Sequence, residues 1–126
     1  MSLEIILSLF EDIKEGIDLI KPRFVNIHMP DDFRKDSVGL TNLDAISMRL
    51  QVIGEAIKKV DKLDKKFLAN YPEIDWEKIM RMRDFISHHY NKLDEVEVFT
   101  ACGFDIPELE KVVDQIIKDI NNTGIL

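Results

Sequence analysis

The amino-acid sequence predicts an all-α fold, an up-and-down four-helix bundle with one short additional helix. In several long stretches the apolar residues recur at alternating intervals of three and four, the spacing of one face of an α-helix. Only five glycines and four prolines occur among the 126 residues, so little of the chain is available for long irregular structure. No strand of substance is predicted.

The first helix is predicted from an apolar stripe near the start of the chain. Its members are Leu3, Ile6, Phe10, Ile13, Ile17 and Ile20. We expect Pro22 to end this helix, because proline lacks an amide proton and its ring crowds the preceding turn. Residues 22–37 have no apolar periodicity and are predicted to form a loop with at most one short turn.

The second helix has the most regular stripe in the chain. It consists of Leu43, Ile46, Leu50, Ile53, Ile57 and Val60. Gly54 interrupts it at a cost of about 1 kcal/mol relative to alanine, so we expect another helix to approach closely there. A short amphipathic segment follows from Asp64 to Ala69 and ends before Tyr71 and Pro72.

The third helix is expected to begin at Asp75 as its N-cap and to continue through Tyr90. Lys78 rather than a glutamate stands at the third helical position, so no capping box is predicted. The core face of this helix is predicted to consist of Trp76, Ile79, Met80, Phe85 and Ile86.

Two further helices complete the bundle. Val96, Phe99 and Cys102 predict a short helix that Gly103 ends. The last helix is predicted to start with Asp105 as its N-cap and Pro107 in the first turn. Its apolar stripe is Leu109, Val113, Ile116 and Ile120.

Length and charge limit the possible functions. A chain of 126 residues fits one domain, which we take to cover residues 1–126. The net charge of −7 argues against a protein that coats nucleic acid with a broad basic face. Local excesses of positive charge occur at residues 58–66 and 77–92. These could be an electrostatic footprint for RNA or, for the lysines of 58–66, a solvated helix end.

Metal and thiol chemistry are not expected. Cys102 is the only cysteine, so no intrachain disulfide can form, and we expect a small buried thiol. The three histidines are His28, predicted to be exposed in a loop, and the adjacent His88 and His89, which lack the spacing of a zinc site. No metal and no cofactor is predicted. Without a cationic leader or a long apolar run, a cytoplasmic protein without membrane contact is expected.

The segment from Arg83 to Tyr90 concentrates the reactive side chains. On a continuous helix, Arg83 and Tyr90 differ by only about 20° and share a stripe. Asp84 and His88 are four residues apart, so the carboxylate could orient the imidazole and raise its basicity. From spacing alone the alternative stays open that Arg83 and Asp84 are surface ion-pair residues and that the histidines and tyrosine form a helix end.

This segment resembles the R-x4-H-x-Y motif of HepT-like proteins, the toxin branch of the HEPN superfamily. Arg83, His88 and Tyr90 occupy the motif positions, and Asp84 follows the arginine. Three other stretches resemble family signatures in the family's order, so the resemblance covers roughly residues 3–120. They are residues 49–56 with Ile-Gly-Glu-Ala, residues 71–76, and residues 106–109. The sequence departs from the family at residues 91–94, where only Asp94 is kept, and by a second histidine, His89.

The resemblance implies a HEPN-like homodimer in which the two motif helices lie near the twofold and form a shared RNA-cleaving groove. It implies a metal-independent RNA endonuclease, the toxin of a type VII-like toxin–antitoxin pair. The cognate partner of such a toxin is a minimal nucleotidyltransferase antitoxin that transfers AMP to the motif tyrosine, here Tyr90. In this interpretation His88 transfers protons, Arg83 stabilises phosphate charge and Asp84 orients the imidazole.

His89 and Glu55 are possible auxiliary residues in this interpretation. Glu55 follows Gly54 within the family-like signature, so a structural contact with the motif helix is expected rather than a catalytic role. The alternative function is a non-catalytic helical module that binds nucleotide and a nucleotidyltransferase without cutting RNA.

Overall fold

The computed structural model describes residues 3–88 and 92–123, with the backbone alone for His88. Over these ranges the chain is almost entirely helical, which confirms the predicted all-α class. The helices are α1 (Leu3–Phe24), α2 (Ser37–Leu63), α3 (Trp76–Met80), α4 (Met82–Ile86), α5 (Glu95–Thr100) and α6 (Ile106–Asn122). Two strands of two residues each, β1 (Ser87–His88) and β2 (Lys92–Leu93), pair antiparallel.

Three long helices build the bundle. Helix α1 packs against α2 and α6, and α2 also packs against α3, α4 and α5. Every member of the predicted α2 apolar stripe is buried, and so is the α1 stripe from Ile6 to Ile20. Each such side chain contributes roughly 1.5–3 kcal/mol through burial. Across the bundle, Lys14 of α1 forms an ion pair with Glu110 of α6 at 2.7 Å, and Lys21 reaches the same carboxylate.

The expectation that Pro22 ends the first helix is wrong, because α1 continues to Phe24. Pro22 stands in the last turn, where its missing N–H removes a single backbone hydrogen bond. Two contacts favour the extra residues. The Arg23 guanidinium donates to the carbonyl of Leu19 at 2.6 Å, and the Phe24 ring lies 5.4 Å from the ring of Phe99.

The loop after α1 contains one short 3₁₀ turn, Pro30–Phe33, as the absence of periodicity predicted. His28 is exposed there, as expected, and its backbone N–H donates to Asp32 at 2.8 Å. Asp36 caps α2 by accepting from the N–H of Gly39 at 2.8 Å. A Cβ on Gly39 would lie 2.3 Å from the carbonyl oxygen of Asp32, so only glycine fits between α2 and this turn.

The third predicted helix is capped by Asp75, which accepts from the N–H of Lys78 at 3.1 Å, but it is not continuous. The backbone leaves helical geometry at Arg81 and becomes extended at Ser87, so the helix ends at Ile86 rather than at Tyr90. The carbonyl of Ile86 accepts from the N–H of Asp94 at 2.7 Å. Backbone groups that a longer helix would use internally therefore bond to the returning chain instead.

The prediction that Gly103 ends a short helix is also wrong. The chain passes from α5 through a wide π turn, Ala101–Asp105, directly into α6. Asp105 has helical backbone angles and makes no capping hydrogen bond, so it is not the predicted N-cap. Pro107 has no backbone N–H to donate to the preceding turn, and a widened turn accommodates the missing hydrogen bond.

The helices that the structure describes do not reach across a membrane. None of them combines enough length with enough apolar character to cross a bilayer.

Candidate active site

Arg83 and Asp84 lie on α4, and both are exposed. This five-residue helix is anchored on its inner side by Met82 and Ile86, which are buried against the core. Because the anchors fix the inner face, the charged pair is presented outward. Within the part of the chain that the structure describes, neither side chain has an ion-pair partner.

Helix α2 supports this region through Gly54. A Cβ at position 54 would lie 2.8 Å from the carbonyl oxygen of Ile79 and 3.6 Å from Cβ of Met82. The backbone between α3 and α4 therefore rests directly on α2, which confirms the predicted close approach. Glycine is required there for its size.

The chain that follows the motif, from Leu93 to Glu95, is held by Arg34. The sequence analysis did not single out this residue. Its guanidinium donates to the carbonyl of Leu93 at 2.9 Å and pairs with the carboxylate of Glu95 at 3.0 Å. A hydrogen bond to its own backbone N–H and the bond to Arg34 hold the pKa of Glu95 below its usual value. Arg34 stands in a loop without periodicity, so no sequence signal pointed to it.

Asp94 holds the same stretch of chain through its side chain and its backbone. Its carboxylate accepts from the N–H groups of Val96 and Glu97, both at 3.0 Å, and so caps α5. Its own N–H bonds to the carbonyl of Ile86, as described above. Ser87 pairs with Leu93 and His88 pairs with Lys92, so the described chain on either side of residues 89–91 is held together.

The geometric argument from one continuous helix is wrong, since His88 lies on β1 and not on the helix that carries Asp84. Asp84 and His88 therefore do not share one helix, and the predicted stripe of Arg83 and Tyr90 depends on a residue outside the described ones. The side chain of His88 and all of His89 and Tyr90 lie outside the described residues. Their assigned roles remain predictions.

Positive charge is present at this edge, although less of it than the sequence count suggested. Lys78 is engaged with Asp105 at 3.2 Å. Arg81 lies with its guanidinium carbon 5.8 Å from the centre of the Phe85 ring, a distance at which a cation and a ring attract each other. Arg81, Arg83 and Lys92 are all exposed, so they are the cations available to a ligand on this side.

Glu55, the possible auxiliary residue, is exposed on the outer side of α2. Its carboxylate lies 3.4 Å from the ammonium of Lys58, one turn away on the same helix. The expected contact with the motif helix is made by Gly54 instead.

Other reactive groups in the structure are occupied or buried. Burial raises the pKa of the Cys102 thiol to about 12, so this cysteine is inert at neutral pH. The Tyr71 hydroxyl donates to Asp119 at 2.7 Å, and burial together with this bond raises the pKa of Tyr71 well above its usual value. Among residues 3–88 and 92–123, no three histidine, cysteine or carboxylate side chains cluster as a metal site would require.

The chain is similar to known ribonucleases over most of its length. A family model described as "Ribonuclease HepT-like" matches residues 13–116. A protein of Methanocaldococcus jannaschii named as a candidate RNase is 32% identical over 112 residues, which are 89% of this chain and 84% of that protein. A probable ribonuclease HepT of Thermococcus cleftensis is 32% identical over 108 residues, 86% of this chain and 92% of that protein.

A further candidate RNase of M. jannaschii is 38% identical over 76 residues, which are 60% of this chain and 60% of that protein. No solved structure matches the chain at a significant level.

Proposed function

We propose that this chain, which belongs to the HepT-like ribonuclease family, is an RNA endonuclease whose chemistry is carried by residues 83–90. One observation carries the proposal. Arg83 and Asp84 are exposed on a short helix that is pinned to α2, and the hairpin carrying His88 follows immediately. Reactive residues on an irregular segment that a rigid scaffold positions are typical of catalytic sites.

The proposed reaction is an internal transfer at phosphorus. The ribose 2′-oxygen loses its proton, attacks the neighbouring phosphorus and forms a bond, and the bond to the 5′-oxygen breaks. His88 transfers the protons, one removed from the 2′-hydroxyl and one given to the departing 5′-oxygen. Arg83 stabilises the additional charge on the phosphate oxygens, as a guanidinium does through two parallel hydrogen bonds. In a homodimer the two copies of His88 would divide the acid and base roles.

The balance of charge fits a small RNA contact rather than a broad one. The chain carries a net charge of −7, so most of its surface repels RNA. Arg81, Arg83 and Lys92 are the exposed cations beside the motif. RNA would therefore approach at this edge and be held by few phosphates, which predicts a modest dependence of binding on salt.

The experiment that tests this function is RNA cleavage in excess EDTA. Purified protein should cut a 5′-labelled RNA and leave a 2′,3′-cyclic phosphate or the 3′-phosphate that forms from it. These ends report attack by the 2′-oxygen, and EDTA excludes a contribution from divalent metal. Strict dependence on added metal, or products that carry a 3′-hydroxyl, would contradict the proposed chemistry.

We further propose that the protein is a cytoplasmic toxin that a partner nucleotidyltransferase silences by modifying Tyr90. The tyrosine oxygen would attack the α-phosphorus of ATP, form a phosphodiester and release pyrophosphate. Bulky anionic adenylate groups beside Arg83 would exclude RNA sterically and by repulsion. The chain's other tyrosine, Tyr71, is a poor acceptor because its hydroxyl is bound to Asp119 and its pKa is raised.

This modification is tested with the neighbouring nucleotidyltransferase, ATP and magnesium. Intact-mass analysis should show added adenylate, and peptide mapping should place it on Tyr90. Tyr90→Phe should abolish the adduct and escape neutralisation, whereas Tyr71→Phe, the matched control, should be modified like the unaltered chain. An adduct on Tyr71 or on a serine would refute the assignment.

The second candidate function is a binding module that does not cut RNA. The end of the helix at Ile86 favours it, since Asp84 and His88 no longer share a helical face. In that case the protein would bind the nucleotidyltransferase and nucleotide but leave RNA intact in the assay above. Binding of the partner with no cleavage by freshly purified protein would decide for this function.

A further inference from the structure

One surface contact connects the loop after α1 to the chain that follows the motif. The Arg34 guanidinium donates to the carbonyl of Leu93 at 2.9 Å, and its Nε lies 3.0 Å from the carboxylate of Glu95. These three residues are called here the Arg34 bridge. Two contacts from one planar guanidinium fix direction as well as distance, because its donors have a rigid geometry. The bridge therefore restrains both β2, which ends at Leu93, and α5, which begins at Glu95.

Arg34 extends from a firmly held part of its loop. Phe33, the residue before it, is fully buried, and the 3₁₀ turn that contains Phe33 packs against α2 and α5. The carboxylate of Asp32 accepts from the N–H groups of His28 at 2.8 Å and Met29 at 3.2 Å, so the turn is also closed internally. Since the backbone that carries Arg34 is fixed, its side chain can set the position of the chain that it contacts.

The restrained chain is paired with the strand that carries a candidate catalytic residue. Leu93 pairs with Ser87, and Lys92 pairs with His88, across the two-stranded sheet. Each strand has only two residues, and so small a sheet is not stable without support from other contacts. The backbone position of His88 therefore depends on a partner strand whose end Arg34 holds.

We propose that Arg34 is a positioning residue for the RNA cleavage: by holding Leu93 and Glu95 it fixes β2, and through β2 it fixes the backbone of His88. This inference rests on the proposed function and deepens it with a residue outside the motif. The guanidinium already serves Leu93 and Glu95, so Arg34 is assigned no contact with RNA. Its loss should therefore slow the chemical step and leave substrate binding largely unchanged.

A general contribution to stability would not explain the bridge equally well. The Arg34 side chain is 43% exposed, so its removal opens no cavity in the core. An ion pair at such a surface position contributes little to the free energy of unfolding. The expected consequence of losing Arg34 is thus local, at β2 and its partner strand, and can be distinguished from loosening of the whole bundle.

The first test replaces Arg34 by alanine in the full-length chain. The kcat of RNA cleavage should fall about 10- to 100-fold, as expected for a reacting group displaced by up to about 1 Å, while KM changes less than about threefold. Arg34→Lys should recover part of this loss, because an ammonium can still reach one of the two acceptors. Arg23→Ala is the matched control, since Arg23 donates to the carbonyl of Leu19 within α1, and it should cleave like the unaltered chain.

Amide hydrogen exchange tests the bridge without any RNA. The N–H of Asp94, which follows Leu93, bonds to the carbonyl of Ile86 at 2.7 Å. In Arg34→Ala this amide should exchange at least about 10-fold faster, because a hydrogen bond from a charged group is lost beside it. The amide of Ile53, in the buried stripe of α2, should change much less.

A second variant tests whether the two contacts act together. Glu95→Gln removes the ionic contact alone and should accelerate exchange at Asp94 by a smaller factor. Combined with Arg34→Ala, it should lower kcat no further than Arg34→Ala does, since both changes act through one bridge. Losses that multiply in the double variant would contradict a shared route. Should Arg34→Ala fold poorly, kcat and exchange of Glu95→Gln decide the question with smaller expected effects.

Three other results would overturn the proposal. An unchanged kcat in Arg34→Ala is the first, and a raised KM with unchanged kcat is the second, because Arg34 would then contact RNA itself. The third is a lower kcat with unchanged exchange at Asp94, or with equal acceleration at Ile53, since neither is a local effect on β2. If the unaltered chain cuts no RNA, the ribonuclease function fails, and exchange at Asp94 alone shows whether Arg34 holds β2.

Discussion

The bundle helices and the segment between them are stabilised in different ways. Helices α1, α2 and α6 contain 22, 27 and 17 residues, and each buries one continuous apolar stripe. Between Trp76 and Asp105, by contrast, no described element is longer than six residues. The bundle is held by periodic burial, whereas the intervening segment combines separately buried side chains, such as Met82 and Ile86, with individual polar contacts. The candidate catalytic residues all lie in the second region.

The contrast explains where chemistry can be placed on this fold. A side chain on a long bundle helix either faces the core or faces open solvent, so several reactive groups rarely converge. A segment that changes direction at Arg81, at Ser87 and again at Asp94 can bring groups from neighbouring turns together. Because its elements are short, the buried side chains of this segment are supplemented by caps and ion pairs.

The most severe test of this division is His88→Ala. If the irregular segment carries the chemistry, RNA cleavage should fall at least about 100-fold, the usual loss for a positioned general acid or base. His28→Ala is the matched control, because His28 is exposed in the loop after α1 and should be dispensable. Rates of RNA cleavage in EDTA measure both. Equal activity of both variants would remove His88 from the mechanism, and His89→Ala would then be the next variant to measure.

The second test asks how Arg83 acts. Arg83→Lys keeps the charge but loses the planar fork, so a bidentate phosphate contact predicts a loss of about 10- to 100-fold, nearly that of Arg83→Ala. Arg81→Lys is the control two positions earlier, since the Arg81 guanidinium lies over the Phe85 ring and is not assigned to phosphate. Near-normal cleavage by Arg83→Lys would mean that position 83 supplies charge alone.

The same division governed what the sequence could predict. The stripes of α1, α2 and α6, the Asp75 cap and the close approach at Gly54 follow from local spacing and were confirmed. The end of the helix at Ile86 depends on a hydrogen bond from the N–H of Asp94 to the Ile86 carbonyl. The chain after the motif depends on Arg34, which lies 59 positions away from Leu93. Such contacts join distant residues and leave no periodic signal. The candidate site was found from residue types and a motif, while its geometry was predicted wrongly.

The Lys78–Asp105 pair shows the same cause at the other boundary. In the sequence Asp105 has the features of an N-cap, since a proline and an apolar stripe follow it. In the structure its carboxylate is used by Lys78, 27 positions earlier, and the chain stays helical around it. The N-cap prediction for Asp105 was therefore wrong because of a tertiary contact with Lys78 that local sequence spacing does not reveal.

The junction between the two regions is tested by Gly54→Ala. The added Cβ would lie 2.8 Å from the carbonyl oxygen of Ile79, so backbone must move, at a cost of about 1–3 kcal/mol. Better helix propensity offsets about 1 kcal/mol of this, which leaves a net loss of up to about 2 kcal/mol. Gly103→Ala is the control of opposite sign, because nothing lies within 4 Å of its Cβ. Denaturant unfolding should show destabilisation for the first variant and no loss for the second.

The smallest effect concerns a single hydrogen bond that ties the entry of the irregular segment to the bundle. The Tyr71 hydroxyl donates to Asp119 of α6 at 2.7 Å, and the Tyr71 carbonyl accepts from the Trp76 indole at 2.8 Å. Tyr71→Phe removes only the first of these bonds and should lower the free energy of unfolding by about 1 kcal/mol. RNA cleavage should not change, because position 71 precedes α3 and lies outside the motif.

The pH dependence of stability reports the environment of the Tyr71 phenol, which is its burial first and its bond to Asp119 second. The pKa of Tyr71 is raised in the folded chain, so the folded state prefers the protonated phenol. The contribution is complete below the unfolded pKa of about 10 and is lost as the pH rises toward the folded pKa. The unaltered chain should therefore lose stability above pH of about 10 more steeply than Tyr71→Phe. Asp119→Asn keeps an acceptor without its charge and should show an intermediate slope. Parallel curves for the unaltered chain and Asp119→Asn would mean that burial alone raises the pKa of Tyr71 and that the bond to Asp119 adds nothing.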